Sequence, residues 1–274
     1  NTRVGNVIMS NFSDFIGGGG SASYPTIFLH NSQTWVPPQD GNIMIHVIGA
    51  GGSGAGSSSE NECESGAAGG YCRKNSLAVT TSGSFTVTIG SGGASHINSR
   101  GAGTAGGVTT VAGTGLGSTL TATGGAGGAL ATNAYTTGGV GSNGNFNSNG
   151  GRGGYQKGGG AIGLTGTGND GVKMSSGFSN YGGNCDILGD FYSSSLGQLS
   201  GSAGGTLQGY GEQNGNGNAG PLAGAGSSWL YSVTTVAASN ASIGGGGGWV
   251  QNNSVGRIFT GRGGEGCVVI QYIP

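Results

Sequence analysis

The pattern of apolar and polar residues predicts short β-strands near both ends of the chain. Alternation covers residues 42–48 and, at the other end, residues 266–273, as in strands with one buried face. The apolar faces carry Ile43, Ile45 and Val47 in the first segment and Val268, Ile270 and Tyr272 in the last. Since no other predicted sheet could bury the last strand, we expect it to pair with the first ones.

Further strands are predicted between these two segments, and no helix. They cover residues 26–30, 34–36, 71–80 and 84–90, with weaker candidates at 107–111 and 118–123. We expect 71–80 and 84–90 to form a hairpin, with Phe85, Val87 and Ile89 on one face. Helices are not expected, because every window with helical apolar spacing contains several glycines.

Glycine, 69 of 274 residues, sets the fold class. Each glycine loses roughly 0.5–1 kcal/mol more than alanine when its backbone is fixed, so a regular structure has to offset that loss. Glycine runs favour polyproline-II, which has no internal hydrogen bonds, and rods packed side by side could bond to each other. The predicted fold is all-β with polyproline-II and almost no helix: a small antiparallel β-sandwich from both chain ends, plus a packed bundle of glycine-rich rods.

This fold class divides the chain into four predicted parts. Residues 1–25 are an N-terminal connecting segment, and residues 26–123 hold the β-sandwich strands with the first glycine runs. Residues 124–261 form the glycine-rich polyproline-II bundle with its loops. Residues 262–274 are the C-terminal strand that returns to the sandwich.

Charge and hydropathy exclude several classes of partner. Nine Lys and Arg oppose ten Asp and Glu, so charged residues are only 7% of the chain, against roughly 25% in ordinary domains. A net charge of −1 offers no electrostatic attraction to nucleic acid. The apolar runs are also too short to predict a membrane-spanning helix.

Enzyme motifs are weak throughout the chain. Residues 49–54 match GxGxxG, but glycine is so common that several matches are expected by chance, and no helix follows to bind a pyrophosphate. GxxxxGK[ST], GxSxG, HExxH and CxxC are absent from the sequence. We therefore expect no enzyme activity and no cofactor.

Metal sites are not predicted either. His30, His46 and His96 lie on separate segments and are expected to be packed in strands or exposed. Glu60, Glu62 and Glu64 could form a Ca²⁺ loop, but a solvated acidic loop is favoured over it.

Four scattered cysteines do not indicate a disulfide scaffold. Cys63 and Cys72 could close a small loop through a disulfide. Thiols, as in a protein made in the cytosol, are the favoured alternative.

The order of strands and glycine runs carries a resemblance to a known family. Trp35, Val36 and Pro37 are followed by a strand at 41–48, the glycine run 49–54, strands within 69–80 and 85–93, glycine runs at 121–128 and 138–151, and the ending 263–272. This succession, over roughly residues 34–274, resembles the phage tail glycine-rich domain. It is similar in plan to the glycine-rich receptor-binding adhesins at phage tail-fibre tips. The resemblance implies polyproline-II rods packed into a sandwich, with variable loops between glycine motifs that contact the bacterial receptor.

Aromatic residues in the segments between glycine runs are the candidate receptor contacts. Binding surfaces draw most of their energy from a few Tyr, Trp and Arg residues, and loops of Tyr, Ser, Gly and Asn have the chemistry of antibody paratopes. Tyr135 is one of these aromatics, and the predicted receptor-binding set is Phe146, Phe178, Tyr181, Phe191, Tyr192, Trp229, Tyr231 and Trp249. The alternative is that the rings cap the bundle and keep water off its backbone.

The sequence thus predicts a bacteriophage tail-fibre or tail-tip receptor-binding protein. It would reside in the virion and contact a bacterial outer-surface receptor, either a membrane protein or a glycan. Other phage fibre or tail proteins are expected partners, and a homotrimer is left open. The alternative is a purely structural virion module in which the glycine rods supply rigidity.

Overall fold

The computed structural model describes residues 24–57, 63–97, 100–130, 135–154, 159–173, 180–181, 228–230, 235–238, 240–241, 243–248, 250–252 and 257–274. These residues form an all-β structure with two five-stranded antiparallel sheets, three smaller sheets and no helix. Consequently, no helix in this part of the chain is long and apolar enough to cross a membrane.

The strands are short and separated by glycine-rich segments. In chain order they are β1 (Thr26–Leu29), β2 (Gln33–Trp35), β3 (Gly41–Ile48), β4 (Gly56–Ser57), β5 (Tyr71–Val79), β6 (Phe85–Thr88), β7 (Thr109–Gly113), β8 (Leu120–Ala122), β9 (Gly141–Ser142), β10 (Phe146–Ser148), β11 (Val172–Lys173), β12 (Asn180–Tyr181), β13 (Ser228–Leu230), β14 (Thr235–Ala237), β15 (Val250–Asn252), β16 (Arg257–Phe259) and β17 (Cys267–Ile273).

The C-terminal strand returns to the first strands, as predicted. The first sheet has the order β1-β17-β3-β5-β10 and the second the order β2-β6-β7-β8-β9. Within the first sheet, Ile270 of β17 pairs with Ile27 on one side and with Ile45 on the other. Strands β9 and β10, which lie within the segment 124–261 that was predicted to form the polyproline-II bundle, add one edge strand to each sheet.

Both sheets contribute side chains to one hydrophobic core. The predicted apolar faces of β3 and β17 are confirmed, since all six of their residues lie in this core and expose 4% or less of their surface. Across from them, the second sheet provides Phe85, Val87, Val111, Leu120 and Ala122.

The first sheet is covered on its other face as well. There Ile48, Tyr71, Cys267 and Val269 form a second buried cluster with Ile162 and Leu164. These last two residues belong to a glycine-rich segment that folds back onto the sheet. The two covered faces explain why β3 and β17 carry apolar residues on both sides, whereas strands with one solvated face would alternate apolar with polar residues.

The predicted hairpin between residues 71–80 and 84–90 is wrong. β5 pairs with β3 and β10, whereas β6 pairs with β2 and β7. The turn at 81–82 carries the chain from one sheet to the other. Leu77 and Phe85 both point into the shared core, so the two strands face each other across it instead of exchanging backbone hydrogen bonds.

Glycine-rich segments beyond the sheets bond to one another through their backbones in a three-residue repeat. The N–H groups of residues 49–56 donate in rotation to the segments 64–70, 101–107 and 261–264. Gly49, Gly52 and Ala55 bond the first, Ala50, Ser53 and Gly56 the second, and Gly51 and Gly54 the third. Residues 64–70 donate in the same rotation to 123–129, 151–154 and 244–247. We call this set of segments the glycine region.

The glycine region packs at backbone contact distance. A Cβ atom built on Gly125 would lie 2.1 Å from the carbonyl oxygen of Ala67, closer than nonbonded atoms approach. Side chains larger than hydrogen are therefore excluded at such positions. In exchange, the buried N–H and C=O groups find partners in neighbouring segments, as buried backbone groups require.

One end of the glycine region adjoins the two sheets, and we call the opposite end the distal end. The segment 49–56 leaves β3 and the segment 64–70 enters β5, so Gly49 bonds Gly70 beside the sheets and Ala55 bonds Glu64 at the distal end. The same registers place four pairs of described residues at the distal end: Ser57 and Cys63, Ile97 and Arg100, Leu130 and Tyr135, and Gly154 and Gly159.

Candidate functional site

Two of the predicted receptor-binding residues have their backbones near the distal end. Trp229 lies in β13, which pairs with β15, and β15 in turn pairs with β4 at the end of the segment 49–56. Tyr181 lies in β12, paired with Val172 of β11. Phe178, Phe191, Tyr192, Tyr231 and Trp249 lie outside the described residues.

Phe146 lies apart from these positions, in edge strand β10 of the first sheet. Its ring centre is 6.0 Å from that of Tyr71, and the guanidinium carbon of Arg73 lies 5.6 Å from it. The half-buried ring packs against the second hydrophobic cluster. Phe146 thus packs on the edge of the first sheet, away from the distal end.

An open cleft of about 450 Å³ lies on the side of the glycine region. The segment 149–154 forms its floor. On one side Gly150 donates to the carbonyl of Gly139, and on the other Gly168 donates to the carbonyl of Asn149. The walls are therefore the segments 136–140 and 167–170.

Arg152 and Asp170 form an ion pair that lines this cleft. Nε and Nη2 of Arg152 donate to Oδ2 of Asp170 at 3.0 and 2.8 Å, and the backbone N–H of Arg152 donates to Oδ1 at 2.7 Å. The side chains are 53% and 31% exposed. Hydrogen bonds and charge from Asp170 raise the pKa of Arg152, so the guanidinium stays protonated.

Tyr135 completes this group at the distal end. The guanidinium carbon of Arg152 lies 4.4 Å from the centre of the Tyr135 ring, within the range of a cation–π contact. Tyr135 is 47% exposed. A charged donor, a carboxylate acceptor and an aromatic ring thus lie side by side on an accessible surface.

Sequence reasoning found only part of this group. Tyr135 was among the aromatics between glycine runs, but Arg152 and Asp170 were not singled out. Arg152 stands alone between two glycine pairs in residues 150–154. A single charged residue inside a glycine run was the one sequence feature that could have indicated this site. The pairing of Arg152 with Asp170 depends on parallel packing of two glycine segments, which no local pattern encodes.

The histidines lie in separate environments. His46 is buried, with Nδ1 2.7 Å from the hydroxyl of Tyr71 and Nε2 3.0 Å from Oε1 of Gln271. His96 contacts the carbonyl oxygen of Ala102, and His30 is exposed. No group of three or more His, Cys, Asp or Glu side chains in the described ranges could hold a metal ion.

The favoured interpretation of the acidic cluster as a solvated loop is wrong for Glu64. This residue is 1% exposed, and Oε2 of its carboxylate accepts a hydrogen bond from the N–H of Ala129 at 3.4 Å. It is buried because its backbone bonds both Ala55 and Ala129 at the start of a central glycine segment. Glu60 and Glu62 lie outside the described residues.

The cysteines for which the structure gives positions are buried thiols. Cys63 and Cys72 are not joined by a disulfide, since one lies at the distal end and the other in β5. Burial raises the pKa of Cys72 to about 11 and that of Cys267 to about 12. The favoured thiol interpretation agrees with this arrangement.

Comparison with protein families matches the chain to the model of a glycine-rich domain over residues 26–273. The chain belongs to the glycine-rich domain family. The match begins at β1 and ends at β17, so this glycine-rich domain comprises both sheets and the glycine region. None of the curated proteins compared with the chain matches it.

Proposed function

We propose that the chain is a bacteriophage tail-fibre or tail-tip protein that binds a receptor on the bacterial surface. The observation that carries this proposal is the grouping of four pairs of described residues at the distal end, namely 57 and 63, 97 and 100, 130 and 135, and 154 and 159. A glycine scaffold of this kind can hold several variable connections side by side. Binding residues are commonly found on loops that a rigid scaffold positions.

The scaffold in this proposal is a β-sandwich extended by polyproline-II rods. Polyproline-II has three residues per turn, so each rod would present its N–H groups in rotation to three neighbours. The three-residue rotation of hydrogen bonds from residues 49–56 supports this conformation. Side chains shared between the two five-stranded sheets support the sandwich.

Recognition through such loops would depend on shape, rings and hydrogen bonds more than on charge. The chain has 7% charged residues and a net charge of −1. Its candidate contacts are the aromatics named above, of which Tyr181 and Trp229 belong to strands near the distal end. The proposed partners are a bacterial membrane protein or surface glycan and neighbouring phage tail proteins. No catalytic step is part of the proposal.

Adsorption to intact bacterial cells tests this function. A fluorescently labelled chain is compared across a panel of strains with a variant in which Phe191, Tyr192, Trp229 and Tyr231 are changed to alanine. A matched control changes Tyr24 and Val36, which are 41% and 51% exposed at the end of the sheets remote from the glycine region. We expect the native chain and the control to label the same strains.

The substituted chain, still folded by circular dichroism, should label none of them. If it adsorbs as well as the native chain, these aromatics are not the receptor contacts. If the native chain labels no strain that the intact phage infects, the receptor-binding proposal fails and the structural virion module takes its place.

A further inference from the structure

We infer that the cleft lined by Arg152 and Asp170 binds a neutral saccharide unit of the bacterial surface. The inference rests on the proposed receptor-binding function and specifies its ligand. A protein-loop receptor is the competing ligand, and the cleft's charge and hydrogen-bonding groups favour a sugar.

Charge at the cleft favours an uncharged ligand. The guanidinium of Arg152 and the carboxylate of Asp170 neutralise each other at 2.8 Å. A phosphate or carboxylate ligand that approached Arg152 would also approach Asp170, and the repulsion would offset its attraction to the guanidinium. An uncharged ligand is not repelled by Asp170, and it leaves the ion pair intact.

Hydrogen-bonding groups in the cleft match hydroxyl groups, which both donate and accept. Nε and Nη2 of Arg152 are engaged by Asp170, and no acceptor among the described residues bonds its Nη1 group, so those donors are available to a ligand. Asp170 is an acceptor beside it. The side chains of Asn149, Thr137 and Thr167, which also line the cleft, add both donors and acceptors.

These groups are held in place before a ligand arrives. Arg152 is fixed by two side-chain bonds to Asp170, by its backbone N–H to the same carboxylate, and by the Tyr135 ring at 4.4 Å. The carbonyl of Arg152 further accepts a hydrogen bond from Gly171 at 2.9 Å. Binding therefore orders few side chains, which lowers the entropic cost of association.

Tyr135 supplies the apolar contact that such a site needs. The face of the Tyr135 ring that Arg152 does not cover can attract the C–H groups of a sugar ring, because an aromatic face is negatively polarised. Tyr135 is 47% exposed and borders the cleft through Arg152. A saccharide lying along the floor segment 149–154 would reach both residues.

Saturation-transfer NMR with the full chain tests this site. The probes are the methyl glycosides of glucose, galactose, mannose, rhamnose and N-acetylglucosamine, together with methyl glucuronide as the charged counterpart. We expect transfer to at least one neutral glycoside and weaker transfer to the glucuronide. Tyr135→Ala and Arg152→Lys should each weaken the binding about tenfold, as removal of a main contact does.

Two variants serve as matched controls. Tyr24→Ala removes another exposed tyrosine, and Arg262→Lys alters another exposed arginine–carboxylate pair, Arg262 with Glu265. Both should bind the sugars as the native chain does. Arg152→Lys keeps the positive charge but removes the planar guanidinium with its several donors. If this variant binds the sugars less well at an unchanged melting temperature, the ligand contacts the guanidinium itself and not only its charge.

Three results would overturn the inference: transfer to none of the neutral glycosides, equal transfer in Arg152→Lys and the native chain, or a preference for the glucuronide. Adsorption to cells distinguishes failure of the saccharide inference from failure of the proposed receptor-binding function. If Tyr135→Ala and Arg152→Lys adsorb to cells as the native chain does, the chain still binds a receptor but not through this cleft.

Discussion

The hydroxyl of Tyr71 lies 2.7 Å from Nδ1 of His46, with both side chains buried on the outer face of the first sheet. The amide oxygen of Gln271, 3.0 Å from Nε2, can only accept a hydrogen bond. Nε2 therefore carries a proton, and in the neutral imidazole Nδ1 accepts from the Tyr71 hydroxyl. This network joins β17, β3 and β5 and supplies polar partners within an otherwise apolar layer.

Removing the Tyr71 hydroxyl should destabilise the fold. Tyr71→Phe takes away the hydroxyl that hydrogen-bonds Nδ1 of His46, and loss of a buried hydrogen-bond partner costs about 1–3 kcal/mol. Urea unfolding followed by circular dichroism measures the change. Tyr24→Phe, at an exposed position, is the control and should leave the free energy of unfolding unchanged. Equal stabilities of the two variants would contradict the assigned network.

Buried thiols should make the protein less stable in alkali. Burial raises the pKa of Cys72 from 9.0 to about 11 and of Cys267 to about 12. Above pH 9 the unfolded chain releases these protons while the folded chain retains them, so the free energy of unfolding falls as pH rises through this window. At about pH 10.5 the loss should be about 2 kcal/mol per thiol.

Urea unfolding at about pH 8 and at about pH 10.5 measures this loss. The variant with Cys72→Ala and Cys267→Ala starts from a lower stability, because its core has small cavities. Its stability should nevertheless change less between the two pH values. A change as large as that of the native chain would show that other groups cause the alkaline loss.

Alanine at Gly125 should prevent normal packing of the glycine region. Its Cβ would lie 2.1 Å from the carbonyl oxygen of Ala67, and both belong to backbone that cannot move without breaking neighbouring hydrogen bonds. Gly166→Ala is the matched control, since nothing lies within 4 Å of the new Cβ there. We expect Gly125→Ala to be insoluble or to melt far below the native chain. Gly166→Ala should fold with a gain of up to about 1 kcal/mol.

Adsorption to cells should depend weakly on salt. With 7% charged residues, few ion pairs between the chain and its receptor are available to be screened. Binding of the labelled chain measured at low and at physiological ionic strength should change little. A steep fall in adsorption with added salt would argue against contact through the aromatic loops and the neutral cleft.

Local patterns predicted the strands of the two five-stranded sheets, except β9 and β10, because these strands bury recognisable apolar residues. Ile43, Ile45 and Val47 alternate with their neighbours, and the structure buries all three in the core. The return of β17 also followed from the sequence, since an apolar strand needs a sheet to cover it. The sequence did not predict that β5 pairs with β3 and β10 instead of with β6. A short turn such as residues 81–82 can connect two strands of one sheet or two strands of different sheets.

The candidate cleft was beyond prediction for a related reason. Arg152 and Asp170 are 18 positions apart, and they meet only because the segments 149–154 and 168–171 lie parallel in the glycine region. Glycine runs look alike along the chain, so their composition cannot say which run neighbours which. The register between two glycine segments is set by the strands to which they are connected and by the backbone hydrogen bonds between them.

The amino-acid sequence alone therefore predicts the all-β, helix-free structure of the described residues, because alternating apolar residues need a sheet and abundant glycine weakens helices. It also determines that the glycine runs must satisfy their backbone groups between segments, because they have almost no side chains to do so. Tertiary packing decides which segments adjoin. It brings Tyr135, Arg152 and Asp170 together and buries Glu64, since those contacts arise from long-range backbone registers that no stretch of sequence records.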